Sequence, residues 1–283
     1  MAAPTFDLQS HSTWSDGALR PAEVVRLARE AGVELLALTD HDTVDGVDEA
    51  LAAATREGLR LVPATELSAL DGDREDLHVL GYGIDHRDPA FLAALHRWRE
   101  DRAARGTRMA AAMAELGWAV EVPDRGDKPL GRPHLAQAIF DHPDNMMRLQ
   151  SEGLVNFSQL LEAYLIPGRP GYRRRTVPDV AEAIEVVHAA GGVAVWAHPF
   201  WDLAADVDVL DAIDRFAALG LDGVEAFYIT HTEHQTRLVA GRCTQLGLLR
   251  TGSADFHGPD HVRFNRFRAF SLYGCGPALG PIA

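Results

Sequence analysis

The chain holds 13 histidines in 283 residues, and five of them share a kind of position. His11, His41 and His257 each follow a short apolar or β-branched run, His198 closes one, and His78 lies inside one. Acidic residues keep them company. Glu66 ends the third such run, Asp255 precedes His257 by two residues, and Asp40 and Asp42 flank His41, where both are expected to orient its ring by hydrogen bonds. Residues i and i+2 of an extended segment point the same way, so Gln9 with His11, and Asp255 with His257, can each present two side chains to one site. Asp16 follows just past the first pair, in Ser-Asp-Gly. Neutral imidazole together with carboxylate is a ligand set for Mn, Zn or Fe. Clustered divalent ions of that kind suit hydrolysis of a phosphate ester, because they acidify water and neutralise the phosphate oxygens and the leaving alkoxide.

Other chemistries lack their marks. The chain has no Gly-x-Ser-x-Gly elbow, no Cys-His signature and no Walker loop. Of its 27 basic residues 26 are arginines; the single lysine, Lys128, lies in the loop-like PDRGDKPLG. A Schiff-base lysine, or a carbamylated strand lysine bridging two metals, is therefore not expected.

For distant histidines to meet, the elements between them must return to one edge. The runs Thr5-Leu8, Leu35-Thr39, Leu59-Ala64, Leu77-Tyr82, Val193-Ala197, Gly223-Tyr228 and Leu248-Thr251 read as buried parallel strands. Amphipathic segments alternate with them, among them Pro21-Gly32, Val44-Gly58, Pro178-Ala190 and His231-Gly247. The rhythm predicts α/β architecture as a closed or nearly closed barrel of about seven strands, with doubly wound layers as the alternative. In a parallel barrel all C-terminal strand ends converge on one rim. From 88 to 170 the pattern changes to helix after helix, Leu92-Gly117, His134-Phe140 and Phe157-Tyr164, between turn-rich boundaries. The reading is a barrel from 1–87 and 171–283 with an inserted helical substrate-binding subdomain at 88–170.

Net charge is −14 with histidines neutral, so the surface repels nucleic acid and anionic lipid on average, and an anionic substrate needs local help. No extended duplex and no membrane are expected as partners. Cys243 and Cys275 form no Cys-x-x-Cys pair and read as free thiols of a reducing compartment. MAAPTFDLQS lacks a basic stretch followed by an apolar run, and no window is apolar enough for a membrane span; the expected location is the cytoplasm.

Six motifs in order carry a resemblance: Asp7-Leu-Gln-Ser-His-Ser-Thr-Trp-Ser-Asp-Gly17, Leu38-Thr-Asp-His-Asp42, Pro63-Ala-Thr-Glu66, Leu77-His-Val-Leu-Gly-Tyr82, Gly191-Gly-Val-Ala-Val-Trp-Ala-His-Pro199 and Gly252-Ser-Ala-Asp-Phe-His-Gly258. Together they resemble the PHP (polymerase and histidinol phosphatase) family. The helical insertion and Gly131-Arg-Pro-His134 are similar to its branch of nucleoside 3',5'-bisphosphate phosphatases and 5'-to-3' exoribonucleases. The resemblance implies a distorted (β/α)7 barrel with two to three divalent ions, commonly Mn, and a phosphorylated nucleotide or short oligoribonucleotide as substrate. It also implies one ion at His11, Glu66 and Asp255 beside Gln9, a second at Glu66, His78 and His198, and a third at Asp16, His41 and His257. Glu66, His198 and Asp255 are the catalytic set it implies. Gln9 departs from the usual His-x-His, and an amide oxygen is a weaker and harder ligand than imidazole.

Substrate capture is expected from arginines of the insertion, since guanidinium forks bind phosphate bidentately. Arg102, Arg105 and Arg108 are read as sharing a helix face, and Arg132 and His134 as sitting where a helix starts, where backbone N–H groups favour an anion. Trp98, Trp118, Trp196 and Trp201 are read as packing residues. Two alternatives stand beside the nucleotide reading: a phosphatase for another small phosphomonoester such as histidinol phosphate, and a degenerate barrel that binds metal or nucleotide without turnover, motivated by Gln9.

Overall fold

The computed structural model describes residues 4–122 and 130–283; Lys128 falls outside them. Among the described residues there are seven strands, β1 (Phe6–Asp7), β2 (Leu35–Leu38), β3 (Arg60–Asp71), β4 (Arg74–Tyr82), β5 (Val193–Trp196), β6 (Gly223–Tyr228) and β7 (Leu249–Ser253). The same described residues form ten α-helices, α1 (Pro21–Glu30), α2 (Val47–Glu57), α3 (Pro89–Glu115), α4 (Arg132–Asp141), α5 (Met146–Ser151), α6 (Phe157–Tyr164), α7 (Val180–Ala189), α8 (Pro199–Asp202), α9 (Asp206–Ala218) and α10 (Glu233–Leu246). The chain divides into two compact units, residues 1–95 with 178–283, and residues 96–177. The division falls at 96 and 177 rather than at 88 and 170. At the second boundary the reason lies in the returning segment, which is fastened to α3: Arg105 Nε donates to Arg173 O at 2.6 Å and the Thr176 hydroxyl to Asp101 at 2.7 Å.

In the first unit the strands follow one another in sequence order across a single sheet. Its two ends approach each other, with Leu8 N–H bonded to Gly252 O at 3.2 Å and His11 N–H to Phe256 O at 2.8 Å, so the sheet is a nearly closed barrel. Leu36 and Leu38 of β2 pack against Val24, Val25 and Ala28 of α1 and Ala50, Ala53 and Ala54 of α2; small residues at those helical positions let the helices lie close on the strand. Local signals set the ends of α10, where Thr232 and Gln235 form a capping box and Gly247 closes the helix in the left-handed region.

The all-parallel expectation fails at β4. Only Gly72 and Asp73 separate β3 from β4, and so short a link joins antiparallel strands alone; β4 runs antiparallel to both β3 and β5. The reversal places the first half of β4, which carries His78, at the rim where the other strands end.

In the second unit Met109, Met113, Trp118, Leu135, Ile139, Leu149 and Leu160 form the core. Arg148 lies over the Trp118 ring at 4.1 Å, and α5, unmarked by sequence pattern, supplies it. Among the described residues no helix is long and apolar enough to cross a membrane.

Candidate metal centre

Glu66 is the hub of the rim. Its Oε1 lies 2.7 Å from His78 Nδ1 and 3.2 Å from His198 Nε2. Its Oε2 lies 3.1 Å from His11 Nε2 and 3.6 Å from His41 Nδ1. His11 Nε2 is also 3.0 Å from Asp255 Oδ1, and Asp16 lies 3.5 Å from His11 Nδ1, 3.6 Å from His41 Nε2 and 3.5 Å from His257 Nε2. Among the described residues three sets could each hold an ion: His11 with Glu66 and Asp255, His41 with Glu66 and His78, and His11 with Asp16, His41 and His257. The expected residues therefore come together, although the pairing differs in detail. His41 stands between two sets, and His198 joins through Glu66 and through His78, whose Nδ1 is 3.3 Å away.

The donors fit cations. His41 Nδ1 and His198 Nδ1 are buried without a hydrogen-bond partner, a costly state for polar atoms unless something else satisfies them. The electrostatics agree. Burial opposes charge on His198, yet the hydrogen bond and charge of Glu66, with Asp202 and Glu225, hold its ring up to about 9. Burial is likewise outweighed at His11 by Asp255, Glu66 and Asp16, and at His78 by Glu66, so both sit above the usual imidazole value. Despite burial, Glu66 is held well below the carboxylate range by the surrounding histidines. Such a pocket attracts positive charge, whether protons or metal ions.

Neighbouring groups hold the donors in place. Tyr228 donates to Asp255 Oδ2 at 2.7 Å, leaving Oδ1 for His11. His257 donates from Nδ1 to Asp255 O at 2.7 Å, so Nε2 carries the free lone pair toward Asp16. Asp42, His198 and Asp255 have φ of 52°, 28° and 55°, a region that costs ordinary residues energy and is often occupied at functional sites.

Several expectations change. Asp40, expected to orient His41, accepts instead from Ser12 N–H at 2.7 Å and from the Ser15 hydroxyl at 2.6 Å, and so grips the loop carrying His11 and Asp16. Asp42 clasps Ser68 on β3 through N–H and hydroxyl. Gln9 turns its amide N–H to Glu66 Oε2 at 2.9 Å, while its carbonyl accepts from Ser253 at 3.3 Å. The face shared by Arg102, Arg105 and Arg108 is not formed: Arg105 is buried and Arg108 exposed. Three-residue steps lag a helical turn by about 60° each, so the three side chains fan out. Arg132 opens α4 and His134 is exposed in its first turn, both inside the second unit. Trp98, Trp118 and Trp196 are buried, but Trp201 is 51% exposed.

Glu225 escaped the sequence reading. It is wholly buried on β6, accepts His198 N–H at 2.9 Å and shares a hydrogen bond with the Ser253 hydroxyl. Burial lifts its carboxyl to about 8. A lone acid inside the apolar run of β6 was the available signal. His231 is buried with Nδ1 bonded to Ala226 O and Nε2 unpartnered, and burial lowers it to about 4.

A model of the PHP domain matches residues 7–174, and the chain belongs to that family. It is a metal-dependent phosphoesterase. It is 34% identical over 261 residues to a 3',5'-nucleoside bisphosphate phosphatase of Chromobacterium violaceum, covering 90% of this chain and 87% of that one. It is 32% identical over 255 residues to a 5'-3' exoribonuclease of Haemophilus influenzae, covering 90% of each. A solved structure of an amidohydrolase from Chromobacterium violaceum, with bound sulfate and no metal, aligns with a TM-score of 0.77 at 30% identity over 98% of this chain and 94% of that one.

Proposed function

We propose that the rim cluster holds two to three divalent ions, Mn by preference, and hydrolyses a phosphate ester of a nucleotide, either a nucleoside 3',5'-bisphosphate or a 5'-phosphorylated short RNA. The observation that carries the reading is Glu66, whose two oxygens face separate sets of imidazole nitrogens. The names of the phosphatase and exoribonuclease relatives supply the substrate class. Divalent ions in such a cluster acidify water and offset the charge of phosphate oxygens and leaving alkoxide.

The chain's own residues do the placing. His11, His41, His78, His198, Asp16, Asp255 and His257 are the ligands around Glu66, with Gln9 holding the Glu66 carboxylate by its N–H. Tyr228 pins Asp255, and Glu225 pins the backbone at His198. Arg102, Arg132 and His134 are the residues of the second unit assigned to substrate phosphate; Arg105 serves to tie down Arg173. Cys243 and Cys275 are free thiols, in keeping with the cytoplasm.

The test is a phosphate-release screen with Mn across nucleoside monophosphates, nucleoside 3',5'-bisphosphates, histidinol phosphate and 5'-phosphorylated short RNAs, with metal measured on the same sample. Release from the bisphosphate or RNA at two or more ions per chain is expected. Preference for histidinol phosphate, or no release by metal-loaded protein, overturns the reading.

A further inference from the structure

The loop after β7, Gly258-Pro-Asp-His-Val-Arg-Phe-Asn-Arg-Phe-Arg268, carries three arginines and a histidine against one acid in a chain of net charge −14. It begins beside the proposed ligand His257, within the same unit as the metal centre. Two of its residues are occupied in holding it. Arg268 bonds the carbonyls of Pro4, Ala31 and Gly32, and Phe267 stacks on Phe256 in the core, ring centres 4.2 Å apart. Phe264 stands as a wall, 5.3 Å from the His257 ring and 5.8 Å from the Trp201 ring.

Arg263 is different. It is exposed, and among the described residues no carboxylate lies within ion-pair distance of it. Its guanidinium sits 5.5 Å from the centre of the Trp201 ring. A guanidinium laid against an aromatic face keeps its edge N–H groups for a planar or tetrahedral anion, and the contact reduces the freedom it loses on binding. His261 adds a donor. Its ring stacks on Phe264 at 5.0 Å, and its Nδ1 accepts the N–H groups of Arg263 and Phe264 at 3.2 and 2.9 Å. Nδ1 is thereby the acceptor nitrogen, which puts the ring proton on Nε2. Trp201 lies three residues past His198, with its backbone N–H bonded to His198 O at 2.8 Å. The shelf is thus joined to the rim through two proposed ligands, His198 and His257.

We propose that Arg263 and His261, backed by Trp201, form the subsite for the second, unhydrolysed phosphate of the substrate. The proposal rests on the nucleotide reading above and adds where the other phosphate sits: the 3' or 5' partner in a bisphosphate, or the next phosphodiester in a short RNA. Repulsion of anions by the chain as a whole is overcome locally by an exposed cation that pairs with no carboxylate among the described residues. Trp201 offers its exposed indole to the adjoining nucleoside.

The experiment compares Arg263→Ala, Arg263→Lys and His261→Ala with the parent chain on a nucleoside 3',5'-bisphosphate and on p-nitrophenyl phosphate, which has one phosphate. The ratio of kcat/KM for the first over the second is expected to fall about 10 to 100-fold in Arg263→Ala, through KM, the loss expected for a charge-assisted phosphate contact. Arg263→Lys should recover part of it. An unchanged ratio overturns the subsite. Binding is followed independently by tryptophan fluorescence on titration with the bisphosphate, with Trp201→Phe identifying the responding ring. If the parent protein turns over neither compound, the nucleotide reading fails, while quenching that is lost in Arg263→Ala still upholds the anion subsite. Absence of any Trp201 response in metal-loaded protein, with no change in the ratio, rejects it.

Discussion

The buried Glu225 carboxyl group accepts the backbone N–H of His198 at 2.9 Å, at the residue where φ is 28° and the chain turns from β5 into α8. A side chain from the next strand thus holds an unfavourable backbone angle and, with it, the direction of a proposed ligand. Burial keeps Glu225 protonated to about 8, far above an unfolded glutamate, so the folded state binds the extra proton in between. Its contribution is full below the unfolded value and is lost as pH rises through about 8. Metal-free protein should therefore lose thermal stability between pH 5 and 8, and Glu225→Gln should flatten part of that decline. Melting curves across this range test it; parallel curves for the two proteins would sink the idea. Glu225→Ala leaves the buried His198 N–H without the acceptor it has in the parent and should cost about 1–3 kcal/mol.

Metal uptake should release protons. Glu66 and its acidic neighbours hold His198 up to about 9 and raise His11 and His78, so near pH 7 a cation must displace protons already there. Affinity for Mn is expected to climb from pH 6 to 9. Calorimetry in buffers of different ionisation heat should show at least one proton released per chain, and none at pH 7 would contradict the assignment.

Glu66→Ala and His198→Ala should each lower metal content and abolish phosphate release while circular dichroism stays that of the parent. Rim side chains contribute less to barrel stability than the apolar interior. Near-normal turnover in either variant would make the cluster structural.

Gln9 uses its N–H on Glu66 and its carbonyl on Ser253. Titration of metal-free protein with Mn should show two tighter sites and one weaker, and Gln9→His should tighten the weak one because imidazole is the better transition-metal ligand. Three equal affinities, unaltered by the substitution, would falsify this role.

Arg132→Ala and His134→Ala should lower kcat/KM by about 10 to 100-fold without changing metal content, as expected when a charge-assisted phosphate contact is lost. Loss of metal with substrate affinity kept would reassign both residues.

Local chemistry was legible in the chain. Imidazole and carboxylate at strand ends, paired by the period of two in His11 and His257, named the ligand types, and the α/β rhythm named the architecture. Those properties depend on a few neighbouring residues. What joins Glu66 to His198, 132 residues away, depends on barrel closure, and no spacing encodes it. The two-residue link at Gly72 and Asp73 reversed β4 and so brought His78 to the rim. Burial decided the rest: it took Arg105 out of solvent and fixed Glu225 behind His198. It also left Arg263 outside against Trp201. Burial is a property of packing between distant elements, so only the tertiary structure could sort residues of similar local sequence into supports, ligands and exposed cations.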